Sequence, residues 1–152
     1  MFEFTNRVTI DRPVSEVFPI ATDLTKLPKW NYFVQSVTPT DGDIGQPGST
    51  YHQIRKSDEQ VLSIVEVSPM RSFTVETIPP SRPELRRKMR FSADGDKTVI
   101  EDQWHLQLGV PRLLEPIAGA RVKGAVAENL GKLKELIETG TTVLQDGRTA
   151  KL

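Results

Sequence analysis

From Phe33 to Leu108 the chain is a series of short extended runs cut by turn signals, and beyond Gly109-Val110-Pro111 it becomes a single stretch of helical spacing. That order limits the fold more than any other feature. The turn signals are Asp41–Gly48, Ser57-Asp58-Glu59, Ser68-Pro69-Met70-Arg71, Ile78–Pro83 and Asp94-Gly95-Asp96. They recur too closely for helical crossovers, so the strands between them should pair antiparallel. Such a sheet buries one face, and the one large element left to cover it is a helix over Leu113–Thr139. Its spacing runs through Leu114, Ile117, Ala118, Val122, Ala125, Val126, Leu130, Leu133 and Ile137, with Gly140 at its stop. A helix of that length spans ~40 Å, enough to cross the whole sheet.

The N-terminal part adds a strand and two short helices. Phe2, Phe4, Val8 and Ile10 alternate with polar residues over residues 1–10, a period of two. Pro13 then suits a first helical turn with Asp11 as its cap, and a second short helix fits Asp23–Trp30, capped by Asp23 and disturbed by Pro28. The prediction is an α+β domain over residues 1–139. Residues 140–152 hold little apolar material and read as a flexible tail.

The Asp94-Gly95-Asp96 turn fixes the register of the last hairpin. One face carries Leu85, Arg87, Met89 and Phe91 with Ile100, Asp102, Trp104, Leu106 and Leu108; this is the core face. Arg87 and Asp102 are its two polar members, opposed across the strands. A lone charge facing a core costs several kcal/mol, so the two should pair, or line a hollow interior. On the middle strands, Val61, Val65, Val67, Phe73 and Val75 are taken as inward, which with a two-residue turn at Asp58-Glu59 also turns His52 and Ile54 inward, and requires a bulge or an odd-length loop at Ser68–Arg71. His105 has the opposite parity and should face solvent. Gly119, Gly124 and Gly131 on the covering helix point to close packing against the helix pair, or to volume left above the sheet.

Several chemistries are missing. The chain of 152 residues has no cysteine, so disulfides, thiolate nucleophiles and cysteine-held metals are excluded. Twenty basic residues balance twenty acidic ones, which gives no field toward nucleic acid or anionic membrane. The run Arg86-Arg87-Lys88-Met89-Arg90 lacks interleaved aromatic residues, and its outward members face Glu101 and Gln103. No apolar run is long enough to span a membrane, and Glu3 and Asn6 interrupt any signal-peptide pattern, so a cytoplasmic location is expected. Neither a phosphate-binding glycine loop nor a G-x-S-x-G elbow occurs. Asp41-Gly42-Asp43 lacks the later ligands of a calcium loop, and two histidines on opposite sheet faces cannot form a His-rich metal centre. No metal or cofactor is expected.

Four local signatures complete the pattern: Ile10-Asp11-Arg12-Pro13-Val14-Ser15-Glu16-Val17-Phe18, Asp23-Leu24…Leu27-Pro28-Lys29-Trp30, Pro47-Gly48-Ser49-Thr50-Tyr51, and Val65-Glu66-Val67-Ser68-Pro69-Met70-Arg71-Ser72-Phe73. With the order of elements, they resemble the START-related helix-grip superfamily (SRPBCC) over Phe2 to about Glu138. It includes polyketide cyclases and dehydrases, pollen allergens and lipid-transfer domains. The resemblance implies a seven-stranded antiparallel sheet curled around the long C-terminal helix, two short helices closing one end, and a cavity between. Its implied lining is Trp30, His52, Phe73, Arg87, Met89, Asp102, Trp104 and the inner helix face through Val122.

The function expected is binding of a hydrophobic or amphipathic small molecule, lipid or polyketide-like. Two alternatives stand beside it. One is a cyclase or dehydrase using Asp102, His52 or Arg87 as its catalytic groups. The other is a protein-interaction module. Homodimerisation through a sheet edge or the helix surface is left open.

Overall fold

Strand β1 (Phe2–Ile10) turns Phe4 and Ile10 into the core, as its alternation requires. The computed structural model describes all 152 residues. Helix α1 (Val14–Ala21) and a 3-10 helix (Leu24–Lys29) follow, then β2 (Val34–Asp41), β3 (Thr50–Arg55), β4 (Glu59–Ser68), β5 (Ser72–Thr77), β6 (Leu85–Asp94) and β7 (Lys97–Leu106). A short 3-10 turn, Arg112–Leu114, leads into α2 (Glu115–Thr139), and a hairpin of β8 (Thr141–Val143) and β9 (Thr149–Lys151) ends the chain. The seven long strands form one antiparallel sheet in the order β1-β7-β6-β5-β4-β3-β2. This is the helix-grip arrangement, with α2 lying across the sheet.

The second short helix is capped by the Asp23 carboxylate, which accepts from the Thr25 N–H and hydroxyl, and Pro28 keeps it from becoming α-helical. At α1 the expectation fails. Pro13 occupies the N-cap position without a side-chain cap, and Asp11 instead offers its backbone N–H to Glu138 on α2, at 2.8 Å. Lys134 donates to the same Glu138 oxygen at 2.7 Å and to the Thr9 carbonyl at 2.6 Å, while Arg12 donates to the Glu138 carbonyl near the C-terminal end of the helix. This latch joins the end of β1 to the end of α2.

The Asp11 N–H, followed by Lys134, holds the Glu138 pKa below the ordinary glutamate range. A depressed carboxylate stabilises the fold above its unfolded-state value and loses that contribution as the pH falls through the folded-state value. Stability should therefore decline as the pH is taken from about 6 to about 3, and Glu138→Gln should flatten that part of the Tm-against-pH curve. Superimposable curves would remove the latch from the account.

The β6–β7 hairpin has the expected register, with Asp94 paired to Lys97 across a two-residue turn and Arg87 paired to Trp104. The outer face is covered by cross-strand pairs such as Arg86 with Glu76 and Lys88 with Glu66. Phe73 and Val75 of β5 are buried as expected, but β3 and the first part of β4 are the reverse of the expectation. Leu62 and Ile64 are buried, whereas Val61 and Val65 are exposed. The β4–β5 connection is the expected odd-length loop, with Ser68 paired to Ser72, and an unexpected bulge lies within β4, between Ile64 and Glu66. It shifts the parity by one residue, so Val67 still packs on the core although Val61 and Val65 do not. His52 pairs with Val61 and shares its outward face, as does Ile54; Tyr51 and Gln53 point inward instead.

Helix α2 is also used unevenly. Val126, Asn129, Leu130, Leu133, Leu136 and Ile137 are buried, but Leu114 and Ile117 near its start are exposed. The C-terminal half fills the core, while Gly119 is the buried residue of the N-terminal turns. Gly119 allows a close approach to the Phe2 ring of β1, not to the helix pair; a Cβ there would lie 2.2 Å from that ring. Gly124 and Gly131 have no neighbour at that position.

Residues 140–152, expected as a flexible tail, form the β8–β9 hairpin. Thr142 and Leu144 are buried, and Gln145 reaches Asn129 on α2. Lys29 and Arg148 tie the hairpin to the second short helix through the Lys151 and Pro28 carbonyls. An Asp146-Gly147 turn, with Gly147 at φ 87°, closes it. No helix is long and apolar enough to cross a membrane.

Candidate functional site

Between the concave sheet face, the short helices and α2 lies a cavity of about 780 Å³, within the range that holds a small organic ligand. Its floor is built by alternation along five neighbouring strands. Gln53 of β3, Gln60 and Leu62 of β4, Phe73 and Val75 of β5, Leu85, Arg87 and Met89 of β6, and Trp104 and Leu106 of β7 all point into it. Leu24, Leu27 and Trp30 of the second short helix and Val122 of α2 supply the opposite wall. The rim is formed by Asn31 and Phe33, the Arg55–Asp58 turn, Arg82-Pro83 and Gln107–Gly109. Fifteen of the 25 lining residues are hydrophobic, so the walls favour an apolar body.

Arg87 is the polar centre. Its long side chain reaches diagonally from β6 to Asp102 on β7, with Nε donating at 2.8 Å and Nη2 at 2.6 Å. Trp104, two residues along the same face, donates its indole N–H to Asp102 at 3.1 Å. The guanidinium carbon lies 4.9 Å from the Trp104 ring centroid and 5.4 Å from that of Trp30, and Phe4 stacks on Trp104 at 5.5 Å. Asp102 has no exposed surface. Three N–H groups enclose it, and it does not reach the cavity.

One edge of Arg87 is free. No protein atom accepts from its Nη1, and this nitrogen is not among the sealed, unpaired atoms, which are Trp30 Nε1, Thr74 Oγ1 and Thr142 Oγ1. Nη1 therefore opens into the cavity. The other two lining arginines are also paired: Arg55 makes a bidentate contact to Asp58, and Arg82 meets Glu84 at 2.8 Å. No cation in the lining lacks a carboxylate partner.

Of the residues expected around the cavity, Trp30, Phe73, Arg87, Met89, Trp104 and Val122 line it. Asp102 lies behind them. His52 is on the outer face, where its Nε2 is 2.9 Å from Glu59 and it borders a separate shallow depression, because the β4 bulge inverts the facing expected for it. Sequence reasoning missed Gln53, Gln60 and Leu62. The buried parity of Leu62 and Ile64 was the signal for them, since Gln53 pairs with Gln60.

The lining holds no Ser, Thr, Tyr, His, Lys, Glu or Cys. Its one carboxylate, Asp58, is an exposed rim residue tied to Arg55. The cavity can therefore surround an apolar body and offer a few hydrogen bonds, but it presents no nucleophile and no free general base.

Comparison with known proteins agrees with this architecture. A family profile described as polyketide cyclase / dehydrase and lipid transport matches residues 1–138. No curated protein matches the sequence. Similar solved structures include TTHA0849 from Thermus thermophilus, at 16% identity and TM-score 0.71, covering 90% of this chain and 97% of that one. XoxI from Bacillus cereus shows 15% identity and TM-score 0.71, with 90% and 96% covered. A START superfamily protein from Mycobacterium smegmatis shows 13% identity and TM-score 0.69, with 88% and 98% covered. At these identities the likeness concerns the fold.

Proposed function

Because the chain belongs to the polyketide cyclase / dehydrase and lipid transport family, we propose that it holds a hydrophobic or amphipathic small molecule, lipid or polyketide-like, in the cavity between sheet and α2. The observation that carries this reading is the lining itself: apolar walls, a few convergent hydrogen-bonding groups, and no reactive side chain. Trp30, Phe73, Met89, Trp104 and Val122 contact the apolar body, and Arg87 Nη1 donates to an oxygen of the ligand. The pairing of every lining arginine favours an uncharged headgroup. A carboxylate beside Arg87 would be desolvated near Asp102 without a countercharge of its own.

The cyclase or dehydrase alternative requires an acid or base within reach of substrate. Asp102 is enclosed behind Arg87 and Trp104, and His52 is on the far side of the sheet, so the geometry supports carriage or sensing over turnover.

The chain's two tryptophans both line the cavity and serve as reporters. Titration with dodecanol should give a saturable change in tryptophan emission at one ligand per chain. Val122→Phe fills the cavity from the helix side and should weaken binding at least ~10-fold while leaving the fold intact. A response that never saturates, or that is unchanged in the filled variant, would contradict the reading.

A further inference from the structure

The cavity contains a second polar point whose orientation is fixed from outside it. Gln60 Nε2 donates to the Arg82 backbone carbonyl at 2.7 Å. That carbonyl only accepts, so the Gln60 amide can be turned one way alone, with Oε1 toward Gln53. Gln53 must then present Nε2 to it, at 2.9 Å. Gln53 Oε1 is left over. It accepts nothing from the protein, it is not among the sealed, unpaired atoms, and its residue lines the cavity. Two buried amides thus relay the polarity of one backbone carbonyl into a fixed acceptor facing the ligand space.

We propose that Gln53 Oε1 is a specificity-determining contact that receives an O–H or N–H of the ligand. This rests on the cavity being a ligand site, and it adds the class of molecule: uncharged, largely apolar, with a hydrogen-bond donor directed at β3. Arg87 Nη1 offers only hydrogens, so it rewards an acceptor. Gln53 Oε1 offers only lone pairs, so it rewards a donor. An alcohol or a secondary amide satisfies Gln53; an ether, ester or ketone without a donor leaves it unpaired and desolvated. The relay holds because both residues are buried and because Gln53 and Gln60 are direct cross-strand partners. Without Gln60 the Gln53 amide is free to turn over and show its N–H₂ instead.

The test compares dodecanol with its methyl ether, which keeps the oxygen acceptor and the chain but loses the donor. Wild-type protein should bind the alcohol about 5-fold more tightly than the ether, as read by tryptophan emission. Gln53→Met should abolish that gap, and Gln60→Leu should shrink it by freeing the amide. Binding of both probes with no gap, or a gap that survives Gln53→Met, overturns this proposal and leaves the cavity reading standing. Binding of neither probe removes the cavity reading and this proposal together. If Gln53→Met does not fold, an undiminished gap in Gln60→Leu overturns the proposal by itself.

Discussion

Replacing Arg87 with Met is expected to destabilise the fold by about 3–5 kcal/mol, because it leaves the Asp102 carboxylate buried without its guanidinium. Asp102 has 0% exposure, and of its three N–H partners two come from Arg87. The Trp104 indole alone is a poor replacement for water around a carboxylate. The loss should come from the stranded charge more than from the broken pair. Replacing both partners, as Arg87→Met/Asp102→Leu, should therefore recover most of the stability. Urea unfolding of the two variants separates these effects. A cost under about 1 kcal/mol for Arg87→Met would mean that water reaches Asp102, against the enclosure of that carboxylate.

The second large effect concerns α2. Leu133, at 0% exposure in the gripping half of the helix, should lose about 2–5 kcal/mol on truncation to Ala, from lost burial and the cavity left behind. Leu113, just before the helix and 92% exposed, should change stability by less than about 0.5 kcal/mol on the same truncation. The contrast follows from the way α2 meets the sheet: its last turns fill the core, while its start passes the rim at Gly109. Comparable losses at both positions would require the start of the helix to be packed as well.

The parts that can be read from the sequence share a physical cause. The β6–β7 hairpin is readable because a two-residue turn fixes pairing, and one slip would move Met89 and Phe91 out of the core. The Arg87–Asp102 pair follows from that register. β4 is not readable in the same way. Val61, Leu62, Ile64, Val65 and Val67 put apolar residues on both faces, so a period of two selects neither, and a bulge within the strand leaves no mark in composition. His52 goes with the wrong face, and Gln53 and Gln60 are missed as a result.

The helix shows its full length in its spacing, but spacing cannot say how far the sheet extends beneath it, so Leu114 and Ile117 read as core residues although they are exposed. The terminal hairpin buries little beyond Leu144, Thr142 and Ala150, too few to look like structure. Its one signal is the Asp146-Gly147 dipeptide between two threonine-bearing runs. Asp146 is held ionised below the ordinary aspartate range, first by the Arg148 N–H and then by Lys56, which ties the hairpin to the β3–β4 turn.

The central claim is that the space beneath α2 is a ligand site, and native mass spectrometry in the presence of dodecanol tests it most directly. The wild-type chain of 17.0 kDa should carry one ligand mass, released on unfolding, and Val122→Phe should stay bare under the same conditions. No adduct on the wild type, or equal loading of the filled variant, would contradict the account.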